Sequence, residues 1–581
     1  MKSWSIGEVA RFLGIKPYII RYWESELPLL APRKSLSGRR EYSSREIRLL
    51  MRFRYLLHEK KYTVEGAKQR IWEELGAGRQ DVAARFDAVR ADLVEALMTL
   101  QRDQSVDAAE ACTLDAGGEE MSEKQIRDAW SARGQEQLFQ HWGTRSAEMK
   151  QRLFSDLAAV DPMQLGKLQA RLQEPVSGLP AEDPIPAPYF PLGQIVSAAG
   201  IQEIGEDLIR RGKTAVLTVA GGQGSRLGFS GPKGMFPISP IRKLTLFALH
   251  AERLLAARRW YGAQIPWLVM TSPANRKETE EYFRRENWFG LGSSSILFFS
   301  QGMFPTLSTN GGLLLAPDGG LLFNPNGHGG VINALRDTGV LQEARDRGVE
   351  ELFYFQVDNP LVRSPDPLFL GFHRREESRM SSKVIEKAYP EEKLGVIALV
   401  GGRPCVIEYS DLDNRFMRAT GPDGKLLFSH GSIAIHVLNV DFLFGEPLSL
   451  PLHIARKRVK TLKPIAGGTE IGEEDAAKME TFIFDAISLA AKAIFVETTR
   501  TEEFAPLKNR EGVDSIETCI RGQVEKAAHW LTSCGVEVPQ DSSGASLHAI
   551  EISALFAWDS RVLAAKRGSI RDRIDEDTLL A

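Results

Sequence analysis

Ala220-Gly221-Gly222-Gln223-Gly224-Ser225-Arg226-Leu227-Gly228-Phe229-Ser230-Gly231-Pro232-Lys233 is the stretch on which the reading of this 581-residue chain turns. It follows an apolar run, Ala215-Val216-Leu217-Thr218-Val219, whose length and composition are those of a buried strand. A buried strand that runs into a glycine-rich turn carrying Arg226 and Lys233 is a place to hold polyphosphate. Glycines let the backbone come close to a ligand, so that its N–H groups can point at phosphate oxygens. The two cations add charge beside them. Two common phosphate-loop patterns do not fit. Gly222, Gly224 and Gly228 are spaced G-x-G-x-x-x-G, one residue too long for a dinucleotide fingerprint, and Lys233 lies between Pro232 and Gly234, not before Ser or Thr as in a P-loop.

Working outward from this loop, strand-like and helix-like segments alternate. Pro266–Met270, Ser295–Phe299 and Leu352–Val357 read as strands, and Lys277–Arg285 and Val331–Thr338 as helices. The alternation predicts an open, mostly parallel α/β sheet. In such sheets ligands sit at the carboxyl ends of strands. The glycine loop meets that rule, and so does Asp358, which closes Phe355-Gln356-Val357-Asp358-Asn359-Pro360. A carboxylate there suits Mg²⁺, though an Asp at a strand end is by itself more often a turn residue or a helix cap.

The whole chain is too long for one ordinary domain. A content of 43% hydrophobic and 26% charged residues places it among globular proteins. No apolar run reaches the ~18 residues of a membrane span, and the N-terminus shows no secretion signal. Cys112, Cys405, Cys519 and Cys534 are far apart and form no CxxC pair, which argues against a zinc ribbon or disulfide framework and for a cytoplasmic setting. Net charge is −3, unevenly spread: residues 1–75 hold 16 Lys/Arg against 9 Asp/Glu, so a basic head precedes an acidic remainder.

In that head, Ser5–Leu13 and Pro17–Glu24 read as two short helices across Gly14, followed by a basic, hairpin-like segment from Pro32 to Tyr42 and a third helix over roughly Ser44–Lys60. Ile6-Gly7-Glu8-Val9-Ala10, Arg21-Tyr22-Trp23-Glu24, Gly38-Arg39-Arg40 and Tyr42 together resemble the DNA-binding domain of the MerR family. The resemblance implies a winged helix-turn-helix over residues 1–75 that binds duplex DNA. Tyr18, Arg21 and Tyr22 would lie on the groove helix, and Arg39, Arg40 and Tyr42 in the wing. Val82, Phe86, Val89, Leu93, Ala96 and Leu100 form a short heptad seam, which suits either a homodimer through residues 80–100 or packing on the rest of the chain. Residues 76–125 thus read as a helical segment ending in a polar, flexible connector from 101.

The glycine loop in its Gly-Gly-Gln-Gly-Ser-Arg-Leu-Gly…Pro-Lys-Gly form resembles the UDP-sugar pyrophosphorylase family, most closely its UDP-N-acetylglucosamine branch. Further pieces occur in the same order: Gln301-Gly302-Met303-Phe304-Pro305, Pro325–Gly330, Val357-Asp358-Asn359, Lys383–Lys387, Val406–Tyr409, Lys478–Asp485 and Pro506–Asn509. The resemblance implies a Rossmann-like nucleotidyltransferase with a mixed sheet flanked by helices. Its lead-in would cover 126–200, its catalytic domain 201–450 and its C-terminal part 451–581, with 541–581 showing no legible pattern. It implies UTP and a hexose-1-phosphate as substrates and Mg²⁺ on Asp358. Arg226, Lys233 and Asp358 would be catalytic. Ala220, Gly221, Gly222, Gln223, Gly224, Gln301, Gly327 and Lys478 would bind the nucleotide, and His328, Glu408, Tyr409, Ser432 and Lys508 the sugar side, with Lys478 or Lys508 on the sugar phosphate. Two departures bear on the sugar. His328 stands where the N-acetylhexosamine branch has Asn and the UDP-glucose branch His, and Ser432 and Ile435 replace an Asn-rich pattern. The leading expectation is an enzyme with a DNA-binding head, the rival a regulator whose body senses a nucleotide sugar.

Overall fold

The apolar run before the glycine loop forms the strand Thr214–Val219, and Ala215 to Thr218 are fully out of contact with solvent. The structure is a computed structural model. It describes residues 4–56 except 14, 16, 27–29, 31, 35–39 and 55, and residues 123–581 except 175–181, 197–199, 446–447 and 466–467. The chain forms two units, Met1–Ala129 and Trp130–Ala581.

In the larger unit, Thr214–Val219 pairs in parallel with Trp267–Thr271 on one side and Glu351–Gln356 on the other, and Ile296–Ser300 extends the row past Trp267–Thr271. The chain therefore runs outward through three strands, then returns across the first to lay down Glu351–Gln356. That reversal is a topological switch point, where the flanking loops splay apart and leave a crevice. Side chains alternate across the sheet. Val216, Trp267, Val269, Phe353 and Phe355 face helix Leu246–Tyr261, while Ala215, Leu217, Leu268, Met270, Leu352 and Tyr354 face helix Val331–Asp337. Strands covered on both faces need apolar residues at every position, hence the unbroken runs; each large side chain so buried is worth about 1.5–3 kcal/mol. Helix Leu246–Tyr261 starts at Thr245, whose hydroxyl accepts from the Ala248 N–H, and stops at Gly262 in the left-handed region (φ 64°).

The other half of the sheet is mostly antiparallel. His430–Asn439 pairs antiparallel with Glu351–Gln356, and Val396–Val400 and Arg403–Ile407 follow it outward. Met380–Glu386 also pairs with His430–Asn439, through an irregularity between Ser382 and Val384. Opposite it, Ala434 takes a φ of +56°. The sheet is thus mixed: the strands from Ile296–Ser300 to Glu351–Gln356 are parallel as expected, while the returning chain adds antiparallel strands and one further parallel pair, Met380–Glu386 with Ala493–Glu497.

A long hairpin, His453–Ile465 with Gly468–Glu480, was not legible in advance. Residues 527–574 build a separate apolar cluster around Trp530, Leu531, Ile550 and Leu563. It is tied to the body by the buried carboxylate of Glu551, which accepts from the N–H groups of Ile241 and Arg242 at 2.8 and 2.9 Å and from the Arg242 guanidinium.

In the smaller unit, helices Ile6–Leu13, Pro17–Glu26 and Ser44–Arg54 close over a core of Val9, Ile20, Trp23, Ile47, Leu50 and Phe53, with Trp23 edge-on to Phe53. Trp4–Ser5, Arg40–Tyr42 and Arg33–Lys34 form a small sheet. Tyr22 is exposed. Tyr42 corrects the expectation of a wing contact: its ring is fully buried in this core and its hydroxyl donates to Glu24, so it packs the small sheet onto the second helix. The side chains of Tyr18, Arg21, Arg39 and Arg40 and the seam from Val82 to Leu100 lie outside the described residues.

Candidate active site

At the switch point the two strand ends meet. The Lys233 ammonium lies 3.1 Å from Asp358 Oδ2, joining residues 125 apart in sequence, with side chains only 19% and 12% exposed. The loop between them is closed on itself. Lys233 N–H donates to the Gly222 carbonyl at 3.0 Å and Gly224 N–H to Gly231 at 2.9 Å. Asn275 steadies it from below, donating to the Ala220 carbonyl at 3.0 Å. Ala220 N–H is used by Met270, and Gly224 N–H by the turn, so neither amide is free to meet a ligand as expected. Among the described residues the amides of Gly221, Gly222 and Gln223 have no acceptor. Three consecutive unpaired N–H groups at a strand end are the makings of an anion nest.

Two adjoining cavities open here, with about 720 and 840 Å³ of empty space, sharing His328, Gln356 and Asp358. The first is lined by Gly221, Gly222, Lys233, Gln301, Gly327 and Glu480. A Cβ on Gly221 would stand 2.3 Å from Gln301 Oε1, so a side chain there would push the Gln301 amide from its place. Gly327 has a φ of +84°, and a Cβ on it would meet the Thr481 carbonyl at 2.3 Å. The second cavity is lined by Lys393, Glu408, Tyr409, Ser432, Ile433, Ile435, Phe484 and Lys508.

His328 stands at the join. Its Nδ1 accepts the Ile483 N–H at 3.1 Å, which leaves the ring proton on Nε2. Burial, with nearby His453, pushes its pKa down to about 4, so it is a neutral donor at physiological pH. Phe482 is stacked between His328 and His453, at 5.2 and 4.4 Å between ring centres, and His453 Nε2 pairs with Asp485 at 2.9 Å. Glu408 has its pKa pushed up to about 7 by burial and by Asp411, against the pull of His453 and Lys508. Lys508 is ion-paired with Asp514 at 3.0 Å.

Behind Asp358 its loop is held from two helices. Arg253, half-buried on Leu246–Tyr261, donates to the carbonyls of Pro360 and Val362, and Lys526, buried in Ile516–Ser533, donates to that of Leu361 at 3.1 Å. The Asp358 carbonyl itself accepts from Leu507 N–H at 2.8 Å. Lys383, which opens the resembling piece Lys383–Lys387, lines neither cavity: it is buried, bonded to Asp366 at 2.6 Å and to Glu503.

Of the expected residues, Gly221, Gly222, Lys233, Gln301, Gly327, His328, Asp358, Glu408, Tyr409, Ser432 and Lys508 come together in the cavities. Ala220 is buried just behind them, while Gln223, Gly224 and Arg226 lie along the turn outside the lining, Arg226 exposed. Lys478 also lines neither cavity. It shares a strand face with Glu480 but sits about 6.6 Å back along the strand, two residues of rise. Gln356, Lys393 and Glu480 were missed. Gln356 had a signal, being a polar residue inside the run Phe353-Tyr354-Phe355-Gln356-Val357, and Glu480 lies inside the resembling piece Lys478–Asp485; Lys393 had none.

Residues 191–516 match the family described as UTP–glucose-1-phosphate uridylyltransferase, and residues 4–72 that described as MerR HTH family regulatory protein. The UDP-N-acetylglucosamine pyrophosphorylase of Saccharomyces cerevisiae is 31% identical over 76% of this chain and 96% of its own length. The human UDP-N-acetylhexosamine pyrophosphorylase-like protein 1 is 33% identical over 73% of this chain and 88% of its own. A crystal structure of the uridine diphosphate N-acetylglucosamine pyrophosphorylase from Trypanosoma brucei shares the fold, with a TM-score of 0.63 at 23% identity over 80% of this chain and 99% of that one. With the mixed sheet, the glycine loop and the Lys233–Asp358 pair in place, this chain belongs to the UTP–glucose-1-phosphate uridylyltransferase family.

Proposed function

We propose that the larger unit is a uridylyltransferase that joins UTP to a hexose-1-phosphate, N-acetylglucosamine-1-phosphate or glucose-1-phosphate, and releases pyrophosphate. The observation that carries this is the Lys233–Asp358 pair beside three unpaired amides at the switch point of the sheet. A phosphate oxygen of the sugar phosphate attacks the α-phosphorus of UTP in line. A new P–O bond forms as the bond to the bridging oxygen of the β-phosphate breaks, and pyrophosphate leaves with that electron pair. The nucleophile is already an anion, so no general base is needed.

The task of the chain is to hold two polyanions together and offset charge on the leaving group. Gly221, Gly222 and Gln223 N–H groups and Lys233 receive the phosphates, with Arg226 at the loop's outer edge. Gln301 and Gly327 take the base. Lys508, His328 Nε2–H, Glu408, Tyr409 and Ser432 orient the sugar phosphate. Asp358 suits Mg²⁺: it is a strand-end carboxylate whose Oδ1 has no partner among the described residues, and a single carboxylate plus substrate phosphates is an ordinary Mg²⁺ donor set. Bound there, the ion would neutralise charge on the phosphate oxygens. The test is pyrophosphate release from UTP with N-acetylglucosamine-, glucose- and galactose-1-phosphate side by side; no release with any of them would remove the reading.

For the smaller unit, the match at residues 4–72 and the excess of Lys and Arg over residues 1–75 favour duplex DNA as a partner. Binding of the full chain to duplex DNA should weaken steeply with salt, since phosphate contacts release counterions. A chain that ignores DNA at low salt would remove this part.

A further inference from the structure

The first cavity carries a carboxylate that the transfer chemistry leaves unused. Glu480 lines it beside Pro325 and Gly327, and among the described residues its side chain has no hydrogen-bond donor and no ion-pair partner. Its placement is built. On one side the Asn324 amide donates to the Met479 carbonyl at 2.9 Å. On the other, Thr481 donates both its N–H and its hydroxyl to the Asn326 carbonyl, and its own carbonyl accepts from Gly329 N–H at 2.8 Å. The end of the hairpin strand is therefore locked to the loop that carries Gly327, Met479 points into the core, and Glu480 faces the cavity.

An anionic wall in a site for a polyphosphate is unfavourable unless it faces a part of the ligand that brings hydrogen-bond donors. Lys233, Asp358 and the unpaired amides suit the phosphates, and Glu480, which lies against Gly327, lines the same cavity as Gln301 and is placed for the nucleoside. The uracil ring offers one N–H, and Gln301 is present for it. The ribose offers two adjacent hydroxyls, which match the two oxygens of one carboxylate; acidic side chains take ribose hydroxyls in the same manner in dinucleotide sites.

We propose, on the footing that the cavity holds UTP, that Glu480 accepts the ribose 2′- and 3′-hydroxyls and selects ribonucleotides over deoxyribonucleotides. The experiment is calorimetric binding of UTP, its 2′-deoxy and its 2′,3′-dideoxy forms to the full chain with and without Mg²⁺, for the native protein and for Glu480→Ala and Glu480→Gln. The native protein should lose about tenfold in affinity for each hydroxyl removed, as for bonds to a charged acceptor. Glu480→Ala should bind all three within about threefold of one another, with Glu480→Gln between. The near-isosteric Gln variant serves if the Ala variant does not fold. Steps that persist in both variants overturn the proposal. So does a loss confined to the Mg²⁺ dependence, which would make Glu480 a metal ligand. A native chain that binds none of the three nucleotides removes the uridylyltransferase reading itself, and the proposal with it.

Discussion

The two cavities are built by different means. On the nucleotide side, glycine amides and the ends of parallel strands do most of the work, and one ion pair, Lys233 with Asp358, spans the crevice. On the sugar side, side chains from antiparallel strands form the wall: Glu408 follows Arg403–Ile407, and Ser432, Ile433 and Ile435 lie on His430–Asn439 around the left-handed Ala434. Strand ends in a packed sheet are rigid, so the phosphate end is pre-organised. A wall of side chains beside a strand irregularity can change one residue at a time without disturbing the sheet. On the proposed function, the chemistry falls to the half that tolerates least change and the choice of sugar to the half that tolerates most.

Lys233→Ala gives the sharpest test of that division. It should lower turnover more than a hundredfold, since a lost pre-organised donor costs on the order of 3–4 kcal/mol in the transition state. The melting temperature should hold within a few degrees. Near-normal pyrophosphate release would take the phosphate end away from this loop.

Glu408→Gln tests the other wall. With its pKa near 7, the Glu408 carboxyl turns from donor to acceptor as pH rises through neutrality, so KM for the sugar phosphate should fall between pH 6 and 8. The Gln variant should lose that slope and raise KM about tenfold at pH 8. The stability sign is opposite. A carboxyl whose folded pKa is raised stabilises the fold below its unfolded pKa and loses that contribution as pH rises through 7. Native protein should therefore lose melting temperature relative to Glu408→Gln between pH 5 and 8, and parallel melting curves would contradict the burial of this group.

Lys526→Met asks whether the frame behind Asp358 is separate from both walls. It strips a donor from the Leu361 and Glu502 carbonyls, at about 1–3 kcal/mol in stability. Burial lowers the Lys526 pKa to about 8, Glu502 opposing; above that pH the unfolded chain holds a proton the folded one does not, so native stability rises and this cost should grow from pH 7 to 9. Urea denaturation at pH 7 and 9 measures it, and an equal loss at both would show that its charge is not involved.

His328→Asn has the smallest expected effect. It should shift the kcat/KM ratio for N-acetylglucosamine- over glucose-1-phosphate by about three- to tenfold, within what a single pocket contact provides. An unchanged ratio would move sugar choice to Ser432 and its neighbours.

The strand Thr214–Val219, the loop to Lys233, and Asp358 after its strand could be read from the chain because local composition decides them: apolar runs buried on both faces, glycines at a tight turn, and a carboxylate at a strand end. The same holds for the helices of the first 56 residues, whose apolar spacing is regular. Only the tertiary structure decided that Lys233 pairs with Asp358, that Tyr42 is a core residue, that Lys478 misses the cleft while Glu480 enters it, and that Lys383 is buried and lines neither cavity. Each of these depends on which strand lies next to which and on the register between them. A shift of one residue along a strand turns a side chain to the other face, and of two moves it about 6.6 Å, and neither displacement leaves a mark in local composition.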